Sequence, residues 1–159
     1  MIPCLNPVTA WLPDPEDYIK LAAKNGFKAV DAGAEHWTAW VERTSIEHAK
    51  SFCAEQGCVV GHGGLPLNFR EDEEKLAAAL VGFPKQCAVM KELGTRGMAT
   101  WLSPTVPGNV AEYRTTLVMR LKKVAEILKD YGLTLGLEFV GPKTSRKEGT
   151  PFIYDMPGM

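Results

Sequence analysis

Four times in this chain a helical stretch ends in a glycine and a short apolar run begins at once: Gly26-Phe27, Gly57-Cys58, Gly94-Thr95 and Gly132-Leu133. Glycine suits the left-handed position just past a helix end, because it has no Cβ to clash with the turn behind it. The four marks lie 31, 37 and 38 residues apart, the length of one strand plus one helix. The helix starts agree with this reading. Asp14 can cap a first helix, with Pro15 at its first position and Glu16 and Asp17 in its first turn. Thr44 with Glu47 forms a capping box for a second. A third is expected from about Glu71 to Leu93, kinked or split at Pro84. Asn109 with Glu112 opens a fourth, whose Tyr113, Leu117, Leu121, Val124, Leu128 and Tyr131 make an apolar stripe.

Strands are therefore expected near residues 2–6, 27–33, 58–63, 97–102 and 133–140, separated by four helices. Alternating strands and helices at this spacing imply parallel strands joined by right-handed crossovers. Two α/β architectures compete. An open doubly wound sheet usually carries GxGxxG after its first strand, and nothing like it follows Met1 to Asn6. A closed (β/α)8 TIM barrel needs about 200 residues or more. On that reading the 159 residues form one domain with about five parallel strands and four helices, a partial barrel whose C-terminal strands are missing.

Composition excludes some functions. The net charge of −1 leaves no basic field for nucleic acid or an anionic membrane. No apolar run approaches the ~20 residues of a membrane helix. The segment Met1 to Pro13 holds no basic residue, unlike a signal peptide. Cys4, Cys53, Cys58 and Cys87 include no CxxC pair and fit reduced thiols, so a soluble, cytoplasmic protein is expected.

The most informative strand is Leu133 to Val140. Side chains alternate faces along a strand, so Leu133, Leu135, Leu137 and Phe139 make one bulky apolar face, suited to covering helices. Thr134, Gly136, Glu138 and Val140 make the other. In a barrel that second face points inward, and Glu138 sits near the C-terminal end, where barrel active sites are built. A carboxylate there is costly to bury unless it is paired, hydrogen-bonded or metal-bound. Function and a structural ion pair with a neighbouring lysine or arginine both remain open. Asp31, with Glu35 beyond it, is expected at the end of strand two, and His62 at the end of strand three. His62-Gly63-Gly64 is like the oxyanion loop of lipases, but no GxSxG nucleophile accompanies it. His36 and His48 read as loop and helix-surface residues. Trp11, Trp37, Trp40 and Trp101 fall at or just after the ends of strands one, two and four. There they either stack on a sugar ring or pack loops against the rim. Lys143, Arg146 and Lys147 follow in a Gly/Pro-containing loop, as phosphate contacts or as solvated charge.

The run from Tyr131 to Thr144, with its GLEFVGPKT core, and the segment Thr150 to Tyr154 resemble the strand-five region of sugar phosphate isomerase/epimerase proteins. These belong to the xylose isomerase-like TIM-barrel group. Asn25 to Val30 is similar to that family's second strand, and Gly64 to Asn68 to its segment after strand three. The resemblance implies metal-dependent proton transfer at a carbon next to a carbonyl, on a sugar or sugar phosphate. It implies a divalent metal (Mn, Mg, Co or Zn) held by Glu, Asp, His and Glu at the ends of strands five to eight. Glu138 matches the first of these, as catalytic residue and metal ligand. His62, Trp11, Trp37, Trp101 and Lys143 are the expected substrate contacts. The strands that would supply the other three ligands are expected to be missing, which leaves the site incomplete. Two other readings stand beside this one. A half-barrel could form a homodimer through its open sheet edges and bind a sugar or small ligand without catalysis; or a small α/β sheet of another lineage could use Glu138 only structurally.

Overall fold

The computed structural model describes residues 1–10, 12–146 and 148–159. Trp11 and Lys147, both singled out above, lie outside the described residues. In chain order the principal elements are β1 (Cys4–Leu5), α1 (Pro15–Lys24), β2 (Ala29–Gly33), α2 (Ala34–Arg43), α3 (Ile46–Glu55) and β3 (Val59–Gly64). They continue with α4 (Glu73–Glu92), β4 (Gly97–Leu102), β5 (Thr105–Val106), α5 (Val110–Asp130), β6 (Thr134–Phe139) and β7 (Thr150–Pro151).

The four glycine marks hold. Gly26, Gly57, Gly94 and Gly132 have φ of 82°, 64°, 89° and 67°, in the region that favours glycine. Each closes its helix in the same way, with the next residue's N–H reaching back five residues. Phe27 N–H donates to Ala22 O at 3.0 Å, Cys58 to Cys53 at 3.0 Å, Thr95 to Met90 at 3.1 Å and Leu133 to Leu128 at 2.9 Å. These bonds satisfy carbonyls that a helix end otherwise leaves open, and they launch the chain into the following strand.

The capping expectations are met at both ends of the chain and corrected in the middle. The Asp14 side chain accepts from Glu16 N–H and Asp17 N–H, and Asn109 accepts from Ala111 N–H and Glu112 N–H. Asp14 also pairs with Arg43 at 2.6 Å. Asp14→Ala should therefore cost about 1 kcal/mol, mostly through the cap. Urea unfolding checks this, and an unchanged midpoint would contradict it. In the middle, Thr44 ends α2 instead of starting the next helix: its hydroxyl donates to Trp40 O at 2.7 Å. Ser45 is the cap of α3, accepting from His48 N–H at 3.0 Å. The single expected second helix is thus preceded by another, α2, over Ala34–Arg43, which makes five helices among the described residues. Glu35 and His36 lie on α2 rather than on a strand end or loop. The helix from Glu73 to Glu92 runs unbroken through Pro84.

The main sheet has the order β1-β2-β3-β4-β6, and every pairing in it is parallel. Each strand is added beside the one before it, with no reversal of order. A doubly wound sheet needs such a reversal, whereas a barrel wall has none. Val30, Ala32, Met98 and Leu102 on one side of the sheet are buried with Ile19, Trp40, Phe83, Met90, Val124 and Leu128 from the helices. The opposite side is open. Ile2, Cys4, Val59 and Arg96 line a broad hollow there of about 690 Å³, and Ile2 and Val59 are 57% and 54% exposed. Beyond β6 the chain folds back, and β7 pairs antiparallel with β5. Phe152 and Ile153 are buried there, with Phe152 packing edge-on against Tyr113. No helix is long and apolar enough to cross a membrane, among the described residues.

Candidate functional site

The strands end together, and their C-terminal ends surround a cleft of about 340 Å³. Asn6, Asp31, His62, Thr100, Trp101 and Glu138 contribute its polar and aromatic walls. Glu138 lies directly opposite Trp101 in the β4–β6 register, on the same face of the sheet. It is exposed, because it stands on the open face of the sheet beside the cleft. The ion pair that would make it purely structural is not formed by any described residue.

His62 reaches the cleft through an irregularity. Val30 pairs with Val60 and Ala32 with Gly63, so β3 uses one residue more than β2 between these points. Such a bulge leaves a backbone N–H without a strand partner. Here the His62 N–H donates to Asp31 Oδ1 at 3.0 Å. The same carboxylate accepts from the Asn6 amide at 3.2 Å and the Cys4 thiol at 3.3 Å. Asp31 thereby ties the ends of β1, β2 and β3 together. Gly61 makes room for it: a Cβ there would stand 2.8 Å from Asp31 Oδ1 and 3.1 Å from Cys4 Sγ.

Loss of hydration, reinforced by the Asp31 hydrogen bond and charge, pushes the Cys4 thiol up to about 12. A thiol reacts as its thiolate, so Cys4 should alkylate slowly at pH 8 although it is exposed. Asp31→Asn removes the charge and should speed labelling by iodoacetamide, followed by peptide mass spectrometry. Labelling of wild-type Cys4 at the rate of a free cysteine would contradict this assignment.

The other expected contacts separate. Trp101 is 50% exposed and faces the cleft. Trp37 is 3% exposed on α2 and packs edge-on against Trp40, with ring centroids 5.5 Å apart, so this expected contact is a core residue. Helix α2 begins directly at the end of β2, and its first turns point these indoles into the core rather than over the rim. Lys143 is exposed on a short 3-10 turn after β6. His48 is exposed on α3 and hydrogen-bonds to Glu16 Oε1 at 2.9 Å. Arg70 was not singled out in the sequence. It stacks on Trp101, and the loop position gave no periodic signal that could mark it.

Among the described residues no group of three His, Cys, Asp or Glu side chains is placed to hold a metal ion. Glu138 supplies one carboxylate, so the described residues do not fit a divalent metal centre by themselves.

A sequential parallel sheet with helices on one side and a polar cleft at its strand ends defines an α/β protein of the barrel type. The chain belongs to the xylose isomerase-like TIM-barrel family, whose model matches residues 19–150. Its structure is similar to a xylose isomerase domain protein from Alicyclobacillus acidocaldarius, at 28% identity and a TM-score of 0.89 over 99% of this chain and 57% of that one. It also resembles a D-psicose 3-epimerase from Clostridium cellulolyticum H10, solved with D-tagatose, at 16% identity and a TM-score of 0.69 over 89% of this chain and 53% of that one. An IOLI protein with a binding zinc atom matches at 19% identity and a TM-score of 0.71, over 89% of this chain and 52% of that one. The chain thus spans a little over half the length of these proteins. No curated protein matches it.

Proposed function

We propose that residues 1–159 act as one domain whose cleft binds a sugar or sugar phosphate, and that Glu138 takes part in an isomerase or epimerase reaction. The observation that carries this reading is the placement of Glu138 directly opposite Trp101, inside one cleft at the C-terminal ends of a parallel sheet. A carboxylate can accept the proton of a carbon next to a carbonyl, and an indole face can hold the apolar side of the sugar ring beside it. His62 would hydrogen-bond a sugar hydroxyl, and Lys143 would meet the phosphate of a phosphorylated substrate. The family implies a divalent metal, Mn, Mg, Co or Zn, with Glu138 as one ligand. Free cysteines throughout accord with a reducing, cytoplasmic setting.

The reaction is tested by incubating the protein with D-fructose or fructose 6-phosphate in D2O, with each metal in turn. Deuterium should appear on the carbon beside the carbonyl, read by mass spectrometry. No label in either sugar with any of the metals would contradict the catalytic part.

A second reading has its own support. Ile2, Val59, Trp101 and Leu137 are exposed, and β1 and β6 each have an unpaired edge in the sheet. Such surfaces favour association. A half-barrel that forms a homodimer through these edges should sediment as a dimer with a concentration-dependent fraction. A monomer at every concentration would contradict it.

A further inference from the structure

Arg70 lies in the loop between β3 and α4, and its guanidinium is sandwiched between two rings. Its Cζ is 4.3 Å from the centroid of Phe69 and 4.0 Å from that of Trp101. Nη2 donates to Thr100 Oγ1 at 3.3 Å and to the carbonyl oxygen of Trp101 itself. Trp101 is therefore gripped twice by one side chain, through its ring and through its backbone. The support behind this grip is fixed. Phe69 is fully buried, and Arg120 Nη1 donates to Phe69 O at 3.0 Å and to Glu71 O.

Holding Arg70 here carries a cost. Its Nε is buried with no partner, and no carboxylate pairs with it among the described residues. A cation of this kind is normally paired or solvated. The return is geometric. Trp101 lines the cleft and Arg70 does not, so the guanidinium lies over the indole from outside the cleft lining. A half-exposed tryptophan on an open sheet face otherwise turns freely about its two side-chain torsions.

We propose that Arg70 is a positioning residue that fixes the plane of Trp101 as the platform for the sugar ring. The sugar part rests on the function proposed above; the hold on the indole does not. Planar stacking together with a hydrogen bond to the Trp101 carbonyl does the work. Arg70→Gln, whose planar amide ends two atoms short of the guanidinium, and Arg70→Lys, which keeps the charge and loses the plane, should both release the indole.

The test uses the chain labelled with 5-fluorotryptophan, whose four tryptophans give four 19F lines. Trp101→Phe assigns the relevant line. In ligand-free Arg70→Lys and Arg70→Gln the Trp101 line should move and broaden while the other three stay in place. Titration with D-fructose should show affinity roughly tenfold weaker in Arg70→Lys, the size expected from losing one aromatic contact. An unchanged Trp101 line in Arg70→Lys, or equal movement of all four lines, would overturn the proposal. So would an unchanged D-fructose affinity in a variant whose Trp101 line has moved. A wild-type Trp101 line that no sugar shifts would remove the proposed function instead, and the ligand-free spectra would still decide the role of Arg70.

Discussion

Glu138→Gln should lower deuterium exchange into D-fructose by roughly a thousandfold, the middle of the range for removing a positioned acid–base group. The amide keeps the shape of the side chain and removes its ability to take a proton. Stability should change by less than ~0.5 kcal/mol, because Glu138 is exposed and makes no contact of its own with described polar groups. Activity and stability are thus expected to separate cleanly. Glu35→Gln, on an exposed position of α2, serves as the control and should leave exchange unchanged. Exchange that survives in Glu138→Gln would mean that another group moves the proton.

The largest effect on folding is expected at Gly97, the first residue of β4. A Cβ there would meet the Thr134 hydroxyl, stand 2.5 Å from the Thr134 carbonyl oxygen, and lie 3.1 Å from His62 Nε2. The carbonyl belongs to the backbone of β6, the strand paired with β4. No rotamer change relieves that clash, so the two strands must separate. Gly97→Ala should cost about 3 kcal/mol or more, at the upper end for overpacking, and should also displace the imidazole. Gly64→Ala is the matched control: nothing lies within 4 Å of its Cβ position, so the fold should tolerate it. Urea unfolding of the pair distinguishes a specific clash from a general loss of backbone freedom. Equal midpoints for the two variants would contradict the packing described here.

Much of the fold was legible because its signals are local. The helix-ending glycines, the caps at Asp14 and Asn109, and the apolar stripe of α5 each depend on a few neighbouring residues. Where a local signal met a neighbouring helix, the sequence misled. The helix before Thr44 bonds its hydroxyl to Trp40 O, so the cap of α3 falls to Ser45 instead. Helix α2 was missed because it begins directly at the end of β2, without a loop or a capping side chain. The tryptophans show the same limit. Position along the chain placed Trp37 and Trp101 alike near strand ends, yet one points into the core and the other into the cleft.

The site was legible in part. Alternation along one strand placed Glu138 on the face that lines the cleft, whereas its pairing with Trp101 depends on the β4–β6 register, which only the folded sheet fixes. The bulge that turns His62 toward the cleft depends on the pairing of β2 with β3, which no single-strand pattern reveals. Nor does any pattern announce the Asp31 tie between three strands, or Arg70 over the indole. These contacts join residues far apart in the chain, and only the folded sheet brings them together.

A 15N-labelled sample titrated with D-fructose puts the cleft itself to the test. The account predicts amide shifts confined to the strand ends, at Asp31, His62, Gly64, Trp101 and Glu138. Shifts at the opposite end of the sheet, where Lys50, Cys53, Glu92 and Gly94 line another pocket, would contradict it, as would no shift at all at saturating sugar.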